Sequence, residues 1–399
     1  MEENLWGIFK PGKSRSIYVI LLFLSCMILR GQSFREFPII GYCGEDFLIS
    51  DTDFSRLREA GFNACLCYYP NMATAKRALD NAKPHDVGLI LYVPEVRSDA
   101  HILLDSLGNH TNLLAFFLYD EPRMGQKEWL QNIVNEFHKA SQKGRIAPNV
   151  YVNLFPYYNS SMIRTTLEAD SYKSYLQSFS SVVGNQYSFD YYPIIDRGVR
   201  KSWYDNLKIV RDVSKQEGKP FWAYILSTPH NVYPQPTLGS LRLQTFVSLI
   251  YGAKGIQYFT YTTPSPQGLN DYHNGPVERD GHLTSTYFLA QQMNEGIKDV
   301  YRFFSGGELG EVVRIPYGQE NISNYIPIKG KLNSAFGVLA AQLHFDGEQY
   351  YAIVNLDYEE NAVLSFGSSS YLYYKNHQWI KLPKQLHLLP GDLLLMKTH

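Results

Sequence analysis

The stretch LLAFFLYDEP (residues 113–122) runs seven apolar or aromatic residues into two adjacent carboxylates and a proline. It is continuously apolar rather than alternating, so it reads as a strand buried on both faces, as in a parallel sheet. Asp120 and Glu121 then fall at its C-terminal end. Seven other runs share this texture: PIIGYCGE (38–45), NACLCYYP (63–70), VGLILYVPE (87–95), NVYVNLFPYY (149–158), YSFDYYPI (187–194), PFWAYILST (220–228) and GIQYFTYTTP (255–264). Amphipathic stretches lie between them. DTDFSRLREAG opens on the capping types Asp51, Thr52 and Asp53 and closes on Gly61. Trp129, Ile133 and Phe137 fall at i, i+4 and i+8 of a second helix, and Leu243, Phe246 and Ile250 share a face of another. Strand and helix alternating eight times predict a (β/α)₈ barrel. A doubly wound open sheet is the alternative, but no glycine-rich phosphate turn follows the first strand.

The ends of the chain differ from this middle. Lys10, Lys13 and Arg15 precede the apolar stretch IYVILLFLSCMIL, which is too short to span a bilayer. The pattern is that of an export signal over 1–33, with a mature chain starting near residue 34 and no integral membrane span. Cys26 admits lipoprotein processing. After a last helix at 284–304 the sequence turns to short β-like runs. FDGEQYYAIVN suggests a hairpin turning at Asp346-Gly347. The expected division is a barrel over 34–305 and an all-β, sandwich-like domain over 306–399.

Composition narrows the partners. Of 399 residues, Lys+Arg number 37 and Asp+Glu 38, a formal net charge of −1 without a basic stripe, which argues against nucleic acid. Aromatics make up 15%, with 31 Tyr against 22 Phe. Tyrosine pairs an apolar face with a polar tip, which suits stacking on sugars. Cys43, Cys65 and Cys67 remain once Cys26 is set aside, an odd number that reads as buried thiols rather than a disulfide framework. No motif calls for a metal or other cofactor.

A barrel of this kind builds its site at the C-terminal strand ends. The candidates there are Glu45, Tyr69, Glu95, Asp120, Glu121, Asn153, Tyr157, Tyr158, Asp190, Tyr191, Tyr192, Ser227, His230, Tyr261 and Thr262. An acidic and aromatic rim with few cations fits a neutral polyhydroxylated ligand, a carbohydrate.

At this point FFLYDEP resembles the strand-4 motif of clan A glycoside hydrolases, secreted barrel enzymes that include cellulases and β-galactosidases. YGAKGIQYFTY and VERDGHLTSTYFLAQQMNEGI resemble strand 8 and the final helix of family-42-like members. The resemblance implies a glycosidase in which Glu121 is the general acid/base, with Asp120 where the family has Asn. It also implies a nucleophilic Glu at the end of strand 7. Strand 7 here is FWAYILSTPH, without a carboxylate. Glycoside hydrolysis needs two carboxyl groups, and Asp190 is the best second one, as base or nucleophile. Asp120, Asn153, Tyr158, Tyr191, Tyr192, Tyr261, Tyr69 and Glu45 are the expected substrate contacts. Adjacent strand residues point opposite ways, so Asp120 and Glu121 act together only if a bulge intervenes. Substrate assistance by a neighbouring acetamido group is a third route. The rival readings are a non-catalytic glycan-binding protein on a decayed barrel and, less well supported by Ser227 and His230, a hydrolase of another bond.

Overall fold

The computed structural model describes residues 36–398 apart from 142–148, 267, 319–320 and 368–369. The export-signal reading and Cys26 lie outside the described residues. Eight parallel strands form the barrel: β1 (Ile39–Gly44), β2 (Ala64–Tyr68), β3 (Gly88–Tyr92), β4 (Leu113–Asp120), β5 (Asn149–Asn153), β6 (Tyr187–Phe189), β7 (Phe221–Leu226) and β8 (Ile256–Phe259). Their order around the sheet is β5-β4-β3-β2-β1-β8-β7-β6. A parallel bridge between Leu154 and Phe189 closes the remaining gap, with Leu154 N–H donating to the Ser188 carbonyl at 2.8 Å.

Each strand is followed by a helix: α1 (Asp51–Glu59), α2 (Met72–Ala82), α3 (Ala100–Ser106), α4 (Lys127–Ser141), α5 (Tyr172–Ser178), α6 (Ser202–Glu217), α7 (Leu238–Ile250) and α8 (Ser285–Gly306). Local chemistry starts them. The cap of α1 is Ser50 rather than Asp51: its hydroxyl accepts from Asp53 N–H at 3.1 Å, and the Asp53 carboxylate accepts from Ser50 N–H at 2.8 Å. Phe54 and Leu57 on that helix are fully buried, each contributing about 1.5–3 kcal/mol over an exposed position. Trp129 departs from the expected helix face. It is 41% exposed in the first turn of α4, while Ile133 and Phe137 pack inward.

The strands bury two different faces. Ile40, Ala64, Leu66, Ile90, Ala115, Phe117, Tyr151 and Trp222 fill the barrel interior. The alternate residues, among them Cys65, Cys67, Phe116 and Val152, face the helices. This two-sided burial is why the runs look continuously apolar. Cys43, Cys65 and Cys67 are free and buried.

Nine further strands follow α8: β9 (Glu308–Ile315), β10 (Gly330–Asn333), β11 (Val338–Phe345), β12 (Glu348–Asn355), β13 (Ala362–Phe366), β14 (Tyr371–Lys375), β15 (Gln378–Lys381), β16 (Gln385–Leu388) and β17 (Leu393–Thr398). They form a six-stranded sheet, β9-β11-β12-β17-β14-β15, and a three-stranded sheet, β10-β13-β16. Asp346 and Gly347 both have positive φ, +51° and +75°, and join β11 to β12 as a type I′ turn. The larger sheet is apolar on both sides. Ala340, Ile353, Leu394 and Met396 meet the smaller sheet, while Ala341, Leu343, Ala352 and Leu395 join the barrel's core. Through this second face the sheet packs on α7 and α8.

Candidate active site

The site begins with a fault in the β4 ladder. Phe117 pairs with Tyr151, but Tyr119 pairs with Val152 and Asp120 with Asn153, so one extra residue sits in β4 between them. Phe117 and Tyr151 face the barrel interior. The bulge at Leu118 therefore restores the phase and turns Asp120 inward beside Asn153. Tyr119 is left on the outer side, edge-on to Trp129 at 5.7 Å. Arg97 Nε donates to the Leu118 carbonyl at 3.0 Å, satisfying a group the bulge takes out of the ladder.

Glu121 completes the turn. Its φ is +49°, a left-handed conformation that costs a side-chain-bearing residue about 1–3 kcal/mol. Its N–H remains tied to the Asn153 carbonyl at 2.8 Å. Bulge and left-handed residue together let two consecutive carboxylates serve one cleft.

Asp190, just beyond β6, meets them there. The charges of Glu121 and Asp120 both act on its carboxyl. Asn153 Nδ2 donates to Asp120 Oδ1 at 3.1 Å and to Asp190 Oδ1 at 2.8 Å. The amide is held in turn by Ser188 Oγ, which donates to Asn153 Oδ1 at 2.8 Å. Below lies a polar layer: Tyr151 OH donates to Gln257 Oε1 at 2.7 Å, and Gln257 Nε2 donates to Ser188 Oγ at 2.9 Å. One amide thus orients two carboxyl groups, and the barrel interior orients the amide.

Crowding three carboxyls raises their affinity for protons. Burial, and then the Asp120 charge, push Glu121 up to about 7. Burial, followed by the charges of Glu121 and Asp120, holds Asp190 well above the usual carboxylate range. Asp120 is raised by burial and restrained by Asn153. Asp120 is exposed by area, yet it stands on the floor of a concave surface, where water reaches it but protein surrounds it. All three shifts run in the direction that favours a general acid.

Aromatic walls enclose the carboxyls. Tyr42 hydrogen-bonds Tyr68 at 3.4 Å and stacks on Phe259 at 5.5 Å. Tyr192 packs on Phe259 at 5.3 Å and edge-on to Tyr233 at 5.9 Å. Tyr158 is half-buried beside Asp190 and Glu121.

The family-42 glycoside hydrolase model, described as beta-galactosidase, matches residues 106–300, a span from the end of α3 into α8 that contains every carboxyl of this cluster. The match covers just under half of the 399-residue chain. Solved structures similar to it include the β-glucuronidase of Lactobacillus rhamnosus, with 14% identity, a TM-score of 0.49 and coverage of 67% of this chain and 52% of that one. The β-glucuronidase of Ruminococcus gnavus in complex with D-glucuronic acid shows 13% identity, a TM-score of 0.48 and coverage of 65% and 49%. The chain spans about half the length of these structures. No curated protein matches it.

The barrel sorts the candidates by strand face. Glu121, Asp190, Asp120, Asn153, Tyr158 and Tyr192 come together. Tyr69, Tyr191 and Tyr261 do not. Tyr69 donates its hydroxyl to the Leu48 carbonyl at 2.9 Å. The Tyr191 hydroxyl bonds Ser202 Oγ at 2.8 Å, under α6. Tyr261 packs on Phe62 in the helix layer, against Gly41, where a Cβ would lie 2.8 Å from its own. Tyr69 and Tyr191 each follow directly on an inward-facing residue, Tyr68 and Asp190. Glu45 is exposed on the loop after β1.

The end of β7 is closed. Ser227 Oγ donates to the Thr260 carbonyl at 2.7 Å, and the Thr228 and Thr260 hydroxyls share a hydrogen bond at 2.7 Å, with all three residues fully buried. His230 turns Nδ1 toward the Thr228 carbonyl at 3.0 Å and packs between Tyr233 and Tyr272. Tyr42, Tyr68, Tyr224, Tyr233 and Arg200 were not among the candidates. Counting by twos from Ile40, Leu66 and Trp222 reaches Tyr42, Tyr68 and Tyr224. Tyr233 and Arg200 sit on loops that periodicity does not address.

Proposed function

We propose that this chain is an exported glycoside hydrolase that cleaves an O-glycosidic bond of a poly- or oligosaccharide, with Glu121 as general acid and Asp190 as base or nucleophile. The observation that carries the reading is the Asn153 amide, which donates both to Asp120, next to Glu121 at the end of β4, and to Asp190 beyond β6, bringing carboxyls from two strands to one point. The family match over 106–300 supports the reaction class. The tyrosine walls supply stacking surfaces for a sugar. Retaining and inverting courses differ in carboxyl separation, roughly 5–5.5 Å against 6.5–9.5 Å, and the anomer first released reads which one is followed. Export rests on the charged and apolar pattern of residues 1–33.

The test is release of sugars from a broad panel of plant, host and microbial glycans by the mature protein and by Glu121→Gln. Hydrolysis by the first and its loss in the second, with glycan binding kept, is the expected result. Near wild-type turnover in Glu121→Gln overturns the assignment.

The closed end of β7 favours one rival, a glycan-binding protein on a barrel that has lost catalysis. Binding without hydrolysis across the panel would establish it.

A further inference from the structure

Arg200 places a cation in a cleft otherwise built from carboxyls and aromatic rings. It precedes α6 and is partly buried. Its guanidinium lies 5.2 Å from the ring centre of Tyr158 and 5.3 Å from that of Tyr233. Nη1 donates to the Tyr192 carbonyl at 3.1 Å and to Tyr233 OH at 3.0 Å. Among the described residues, no carboxylate pairs with it, and Nε and Nη2 have no partner. Tyr158 is the link to the reacting groups, for its hydroxyl feels Asp190 and Glu121 as well as Arg200.

A guanidinium held between two rings, with one nitrogen fixed and two donors unused, is a planar fork set for an oxyanion. A neutral sugar would give no return for the cost of desolvating it beside a cluster that holds its own protons. We propose that Arg200, with Tyr158 and Tyr233, forms a subsite for a carboxylate or sulfate carried by the sugar next to the scissile bond. The substrate is then an anionic glycan, and Arg200 is a specificity residue one sugar removed from Glu121. This rests on the glycosidase reading of the cleft. The β-glucuronidase likenesses lend it no weight.

The test uses full-length protein carrying Glu121→Gln, applied to an array of uronate-bearing, sulfated and neutral oligosaccharides. Expected are hits in the anionic sets, weakened at least tenfold by Arg200→Gln at an unchanged thermal midpoint and partly restored by Arg200→Lys. The uronate and sulfate arms tell which oxyanion is read. Binding by the parent protein weakens with added salt, a readout independent of how the variants fold. Preference for neutral glycans, no binding of any anionic glycan, or anionic binding indifferent to Arg200→Gln overturns the proposal. Failure of the hydrolase reading shows separately, as absent turnover of the array hits by the protein with Glu121 intact while the array pattern holds.

Discussion

The ends of β4 and β7 are two strand termini on the same barrel rim, and they have opposite characters. At β4 a bulge and a left-handed residue bring two carboxylates into the cleft. At β7 every polar group is spent on neighbours, Ser227 on the Thr260 carbonyl and Thr228 on the Thr260 hydroxyl. The first end is strained and crowded with like charges, and the second is relaxed and satisfied. Stored backbone strain and raised carboxyl affinities cost stability, so they persist where the surroundings enforce them and are informative about use. On the proposed reading, the carboxyl that partners Glu121 comes from the end of β6 rather than β7, where Asp190 shares the Asn153 amide with Asp120.

The sharpest way to break this contrast is to alter each end in turn. Glu121→Gln should lower kcat by about 10²–10⁴-fold, the usual worth of a general acid, while Ser227→Ala should change it less than threefold. Steady-state kinetics on a substrate from the glycan panel checks both, and a large loss at Ser227 would erase the contrast. Next comes the amide. Asn153→Ala removes hydrogen bonds that restrain Asp120 and Asp190, so both hold protons more tightly. Activity should fall about 10–100-fold, from roughly 1.5–3 kcal/mol per hydrogen bond to a charged group. The alkaline limb of the pH profile should also move up.

The pH dependence is the third test. Glu121 must be protonated to act, so kcat/KM should decline through an alkaline limb near 7. Stability carries the same sign. The folded state binds more protons than the unfolded one between the ordinary 4.5 and about 7, so stability falls as pH rises through that window and levels off above it. In Glu121→Gln this slope should flatten, as thermal melts in a pH series would show. The smallest effect concerns strain. Glu121→Gly relieves a positive φ and a like-charge contact. It should be inactive yet more stable by about 1 kcal/mol at pH 8, read by denaturant titration. A less stable glycine variant would mean that β4 is not the strained end.

The strands and helices were legible because their signals are periodic and local. Continuous apolar runs gave the barrel strands, and Asp346-Gly347 gave its turn. Strand ends were legible as positions but not as faces. Tyr69 and Tyr191 close their runs yet point into the helix layer, because inward facing is set by alternation counted from inside the barrel; Tyr261, two residues past inward-facing Phe259, leaves that count where β8 has ended. Asp120 breaks that count through a bulge, which depends on the Leu118 carbonyl finding Arg97 some 21 residues away in sequence. Arg200 and Tyr233 reach the cleft from loops, where neither period applies.

The six-stranded sheet with two dry faces bears on motion. By burying its second face on α7 and α8, it clamps the flank of the barrel that carries β7 and β8. That flank and the sandwich should melt as one cooperative unit, with no hinge between them. Any motion that admits a glycan is then expected on the opposite flank, where the long connections after β5 and β6 carry Tyr158 and Arg200.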